Sequence, residues 1–228
     1  WTIAIQLPSL IIGWIVGNIL GAVAAYRKGI FDRIIFPLSL FFSSIPVFVL
    51  ALLMKYYLGV YAHWFPMQGA YDAELMPSAT FTFYWSLFRH WQLPFLATCL
   101  VMIGGQAIGM RSMSLYELNA DYVLYAKLLG IPENKITKYV FKNAVLPQIT
   151  GLALSLGTMI SGALITEIVF SYPGIGTQLV NAIHNVDYTL ISGCTLFISI
   201  TALIANFTIE IIYGLIDPRI RAIQMEEE

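Results

Sequence analysis

Residues 1–26 read WTIAIQLPSLIIGWIVGNILGAVAAY and contain no Asp, Glu, Lys or Arg. A helix needs about 20 apolar residues to cross the hydrocarbon core of a bilayer. The stretch is long enough to span, and that reading sets the class of the whole protein. Four further uncharged runs have comparable length: 34–54, 91–110, 143–166 and 188–209. The 228 residues are 58% hydrophobic and only 11% charged, where a soluble domain carries about 25% charged residues. Together with a mean hydropathy of +0.76, this excludes an ordinary soluble domain, a disordered chain and a collagen-like repeat. Cys99 and Cys194 are too few for a disulfide scaffold, and both fall inside predicted spans, where free cysteine acts as a small hydrophobe. A net charge of −1 provides no basic field for nucleic acid.

The expected architecture is an all-α polytopic helical bundle with five transmembrane helices, at about 3–26, 34–54, 91–111, 147–168 and 188–216. They form one transmembrane domain, 1–221, followed by a short tail, 222–228. A further uncharged run, 168–186, holds Pro173, Gly174, Gly176, Asn181, His184 and Asn185. It reads as a loop or re-entrant segment, because lipid would leave its broken backbone unsatisfied. The apolar, aromatic stretch 75–88 is too short to cross and is expected along the interface. The chain opens at Trp1 with neither a basic leader nor a cleavage site, so a sixth, N-terminal span is expected ahead of it.

Five crossings put alternate loops on opposite sides. One side receives Arg27, Lys28, Arg33, Arg111, Lys127, Lys135, Lys138, Lys142, Arg219 and Arg221, the other only Lys55 and Arg89. Basic residues concentrate on the cytoplasmic side, so the C-terminus is expected inside a multi-pass cell-membrane protein.

The inner segment between the third and fourth spans, 117–146, carries most information. Asp121–Leu129 reads as a short helix with Tyr122, Tyr125, Ala126 and Leu129 at i, i+3, i+4 and i+7, on one face. Gly130 supplies a stop in the left-handed conformation. Pro132 opens a second helix, where its missing N–H costs nothing, and Pro147 marks entry to the fourth span. A topology-setting basic loop accounts for the charges; an exposed apolar face calls for a partner.

This helix–turn–helix resembles the cytoplasmic coupling loop, the EAA loop, of ABC importer permeases. The family places an Ala, a Gly four residues later, and a Leu-Pro after the second helix; here they are Ala126, Gly130 and Leu146-Pro147. Asp121-Tyr122-Val123 and Asn143-Ala144-Val145-Leu146-Pro147 are similar to the oligopeptide, dipeptide and nickel subfamily. So are Ser44-Ile45-Pro46, Trp64-Phe65-Pro66 before Gly69, Glu167-Ile168-Val169-Phe170-Ser171-Tyr172-Pro173-Gly174-Ile175-Gly176, Asp187-Tyr188 and Asp217-Pro218-Arg219-Ile220-Arg221. Leu124-Tyr125-Ala126 replaces the general Glu-Ala-Ala. The resemblance implies a permease subunit that couples to a separate ATPase through Asp121, Tyr122, Tyr125, Ala126, Lys127 and Gly130. It implies an external gate or binding-protein landing surface at Ser171, Tyr172, Pro173, Gly174 and Gly176. The implied partners are a second, non-identical permease subunit, two nucleotide-binding ATPase subunits and an extracytoplasmic substrate-binding protein. ATP and Mg belong to the ATPases: this chain lacks G-x-x-x-x-G-K-(S/T). Peptides or related small solutes are the implied cargo.

Polar groups at membrane depth are candidate path residues: Ser43, Ser44, Gln106, Ser161 and Glu167. Serines also serve as glue between helices. Glu167 faces an external vestibule or bonds the 173–176 turn. The alternative class, an ion-gradient-driven secondary transporter, would use Glu167 or Glu210 as its membrane carboxylate. An intramembrane Ser–His enzyme is disfavoured, since His63, His90 and His184 lie outside the expected spans.

Overall fold

Residues 1–27 and 29–216 are described by a computed structural model, except for the side chains at 153, 157–162, 209, 210 and 212–216. Lys28 and the matched tail 217–221 lie outside the described residues. Among the described residues eight α-helices and one π-helix follow in order: α1 Thr2–Arg27, α2 Gly29–Ser44, α3 Val47–Met54, the π-helix Lys55–Tyr61, α4 Phe81–Leu118, α5 Asp121–Leu128, α6 Glu133–Val169, α7 Ile175–His184 and α8 Tyr188–Ile216. Helices α1, α4 and α8 are each long and apolar enough to cross a membrane, and α2 with α3 forms a bent pair that meets the same test.

Helix α1 organises the bundle. Gly13, Gly17 and Gly21 repeat every four residues and form a bare stripe against α4. A Cβ at Gly13 would lie 2.6 Å from Met102 Cβ, and one at Gly17 would lie 2.6 Å from Gln106 Cβ. One at Gly21 would lie 2.9 Å from Arg111 N. The partners advance with the glycines, so α1 and α4 run parallel with nearly touching backbones, as small residues permit in lipid. Helix α6 runs the other way along the whole of α1. Thr2 meets Glu167, Trp14 Nε1 donates to the Gln148 carbonyl at 2.9 Å, and Tyr26 Oη donates to the Thr137 carbonyl at 3.4 Å. Pro8 has no N–H for the Ala4 carbonyl one turn back; the Trp91 indole donates to that oxygen instead, at 2.7 Å.

Helix α2 packs on another face of α4, where Gly104 lets the Ser39 carbonyl approach within 2.7 Å of its Cβ position. At the Arg27 end, Arg111 grips Asp32 with two hydrogen bonds, of 2.6 and 2.8 Å, and lies over the Phe36 ring. Ala51 on α3 joins Leu93, Ala97 and Phe170.

Several expected boundaries shift. The second span is not one rod: α2 and α3 meet at 98° around Ile45-Pro46. Proline removes a helical N–H and pushes its predecessor out of the α region. The third span begins at Phe81, so residues 81–88 of the supposed interfacial stretch form its first two turns, with Pro94 inside the helix. The second helix of the inner loop and the fourth span are one 37-residue helix, α6, which runs through Pro147 without a break. The run 168–186 is a turn followed by the ten-residue helix α7.

Replacing Gly17 by Val drives a side chain into α4, an overpacking that costs about 1–3 kcal/mol. A lower melting temperature in detergent is expected for Gly17→Val. Gly105→Ala, with nothing within 4 Å of the new Cβ, should not lower it.

Candidate functional site

The two ends of α6 carry the residues singled out from the sequence. At its start stands α5. Its last turn closes as a Schellman motif: the Gly130 N–H donates to the Lys127 carbonyl and the Ile131 N–H to the Ala126 carbonyl, both at 3.0 Å. Gly130 takes φ +70, the conformation that only Gly adopts without strain. Val123 and Ala126 pack on Ile136 and Val140 of α6. The stripe expected from the sequence therefore splits. Ala126 faces inward, because its small side chain lets α5 lie down on α6. Tyr122 is half-buried and donates to Glu117 Oε2 at 2.7 Å; burial first, then that bond, pushes its phenol up to about 12. The outward face is Leu124, Tyr125, Leu128 and Leu129, with Leu128 75% and Leu129 79% exposed. Asp121 and Lys127 flank it, exposed, in the first and last turns.

At the other end α6 also closes as a Schellman motif, with Ser171 at φ 50 in place of glycine. The Tyr172 N–H donates to the Glu167 carbonyl at 2.8 Å. The Glu167 side chain is 0% exposed. Its Oε1 accepts the Thr2 hydroxyl, and its Oε2 accepts the Gly176 and Thr177 N–H groups at 2.8 and 3.1 Å. The Thr2 hydroxyl oxygen in turn accepts the Ile175 N–H at 3.0 Å. Glu167 and Thr2 thus satisfy the first three orphan donors of α7, a helix end that favours an acidic group. A Cβ at Gly174 would collide with the Glu167 carboxyl, and one at Gly176 would lie 2.7 Å from Leu164 Cα. Tyr172 is buried beside Ile5 and Ala70, edge-on to Trp1 at 5.8 Å, while Pro173 is exposed. Of the two readings left open for Glu167, bonding to the turn is the one found here.

Other polar candidates are scattered. Ser43 donates to the Leu40 carbonyl of its own helix at 3.1 Å, and Ser44 is exposed at the end of α2. Gln106 lies over Gly17 on α1, away from the Gly104 face of α4 that meets Ser43. Ser161 and Glu210 have side chains outside the described residues.

Sequence reasoning missed Thr2, Lys55, Asp32 and Gln148. Lys55 donates to the Val169 carbonyl at 2.6 Å and so caps the end of α6. The Arg111–Asp32 pair had a signal: Arg111 borders the uncharged run 91–110 and Asp32 lies two residues before the run 34–54, so both fall close to the same end of the expected spans.

Losing the carboxyl in Glu167→Ala leaves two buried N–H groups without an acceptor, at a cost of about 1–3 kcal/mol. Hydrogen exchange at Gly176 and Thr177 should accelerate and the melting temperature fall; Glu167→Gln, which keeps an acceptor oxygen, should recover most of both.

Residues 17–222 match the family described as binding-protein-dependent transport system inner membrane component. The chain is 30% identical to the di/tripeptide transport system permease protein DppB of Pseudomonas aeruginosa (strain UCBPP-PA14), over 96% of this chain and 70% of that protein. It is 35% identical to a putative peptide permease protein of Brucella ovis (strain ATCC 25840 / 63/290 / NCTC 10512), over 96% and 68%. It is 27% identical to the dipeptide transport system permease protein DppB of Escherichia coli (strain K12), over 96% and 70%. With this match along most of its length and its long apolar helices, the chain belongs to the binding-protein-dependent transport system inner membrane components.

Proposed function

We propose that this protein is the permease subunit of an ATP-driven importer for short peptides, and that α5 with the Gly130 turn is the knob by which a separate ATPase moves it. The observation that carries this reading is the apolar surface of Leu124, Tyr125, Leu128 and Leu129 on a helix whose other face is fastened to α6. An exposed apolar patch of this kind marks a contact with a partner. The excess of basic residues at that end of the bundle supports a cytoplasmic position for it, with the C-terminus on the same side. Five crossings follow if the bent α2–α3 pair and α6 each count as one.

The opposite end, with Ser171, Pro173 and the polar face of α7, then meets an extracytoplasmic binding protein. A second, non-identical permease completes the path, and two ATPases bring ATP and Mg. Peptide cargo is favoured because the similar proteins are named for di- and tripeptides. An ion-coupled carrier is disfavoured: the carboxyl of Glu167 is buried and occupied by three donors.

Closure of the ATPases would pull on α5 and switch the bundle between two states, the bistable element that such coupling needs. Leu128→Asp puts a charge in the contact. Loss of a central apolar anchor costs more than about 1 kcal/mol of binding, so co-purified ATPase should fall severalfold while membrane insertion is unchanged. Gly130→Arg forces a side chain into the left-handed turn and should abolish transport-linked ATP hydrolysis. Normal hydrolysis and ATPase recovery in both variants would remove the knob.

A further inference from the structure

Three carboxamides, one on each of α1, α4 and α6, converge on one level of the bundle. Asn18 on α1 is only 2% exposed; its Nδ2 donates to the Trp14 carbonyl at 2.7 Å, and its Oδ1 has no partner among the described residues. It lies one turn from Trp14, whose indole holds the Gln148 carbonyl, and one turn from Ala22, which packs with Met110 and Ala144. Asn18 is thereby aimed into the seam between α4 and α6. Gln106 Cβ lies over Gly17, the neighbour of Asn18. Gly109, one turn further along α4, faces Gln148: a Cβ there would lie 3.1 Å from Gln148 Oε1 and 3.2 Å from Nε2. Neither glutamine amide has a hydrogen-bond partner among the described residues.

Trp14 is in the middle turn of α1, so these groups sit within the span, about one turn from its middle toward the Arg27 end. Unbonded amides are costly in hydrocarbon, and intramembrane polar side chains face a bundle interior or a wet cavity. Gly105, one turn before Gly109 on α4, and Gly151, one turn after Gln148 on α6, have nothing within 4 Å of their Cβ positions. The seam is therefore open beside the amides.

We infer that Gln106 and Gln148, backed by Asn18, line a hydrated groove along α4 and α6 that binds the peptide unit of the cargo during translocation. This rests on the importer reading and adds the wall of the path and what it recognises. A carboxamide offers one donor and one acceptor side by side, which matches the C=O and N–H of a peptide bond. Such a wall reads backbone and tolerates different side chains. The bare glycines leave room for those side chains to pass.

The test uses the complete transporter, reconstituted in proteoliposomes with its ATPases, second permease and binding protein, and trialanine as the probe. Gln148→Leu and Gln106→Leu keep side-chain volume. Trialanine uptake should fall at least tenfold in each, while ATP hydrolysis stimulated by loaded binding protein stays within about twofold. Gln148→Asn should recover part of the uptake. In a Cys99→Ala, Cys194→Ala background, G105C and G151C should react with a charged, membrane-impermeant thiosulfonate, and trialanine should slow the reaction. Uptake unchanged in both leucine variants, or thiols that stay unlabelled in every nucleotide state, overturns the groove and leaves the importer standing. Loss of the second permease from Gln148→Leu without thiol labelling also overturns it, since the amides would then belong to a subunit seam. A wild-type assembly that takes up no trialanine with ATP and binding protein present strikes the importer reading itself.

Discussion

The approach of α1 to α4 constrains the rest of the bundle. Gly13, Gly17 and Gly21 bring two helix backbones together along their length, with no α1 side chain between them at these three positions. In a bilayer the hydrophobic effect does not hold helices together, because lipid tails are as apolar as leucine. Dispersion across a close seam and a few hydrogen bonds must serve instead. Once α1 and α4 are parallel neighbours, the chain between them has to return across the bundle. That return is the work of α2 and α3, and Gly104 lets α2 come as close to α4 on another face.

Polar groups then act as fasteners at the ends of this apolar stack. Arg111 and Asp32 tie α4 to α2 at one end. Glu167, Thr2 and Lys55 tie α6, α1, α7 and the π-helix at the other. Each fastener also satisfies a helix terminus or a charge that lipid would otherwise leave exposed. Both carboxyl oxygens of Glu167 are engaged in that fastening.

Much of this was legible in the residues. The long uncharged runs marked the helices because a membrane tolerates few charges, and Gly130 marked the end of α5 because the turn needs positive φ. Other features were not legible, for physical reasons. Pro46 bends its helix through 98° while Pro147, Pro94 and Pro37 stay inside theirs. Proline removes one bond in each case, and surrounding packing decides whether the helix yields. The orientation of α5 depended on which residue was small enough to lie on α6, and periodicity could not distinguish Ala126 from Tyr125. The partners of Glu167 come from residues as distant in sequence as Thr2, and no local pattern encodes such a contact.

The continuity of α6 has a mechanical consequence. Its 37 residues form a rod about 55 Å long at 1.5 Å per residue. One end is clamped to α5 through Val140 and Ile136, and the other to the turn that Glu167 organises. A rod of that length acts as a lever. Tilting it by about 5° about one end moves the other by about 5 Å, roughly one helical turn. A small displacement of α5 is therefore carried to the far end of α6 without any helix unwinding.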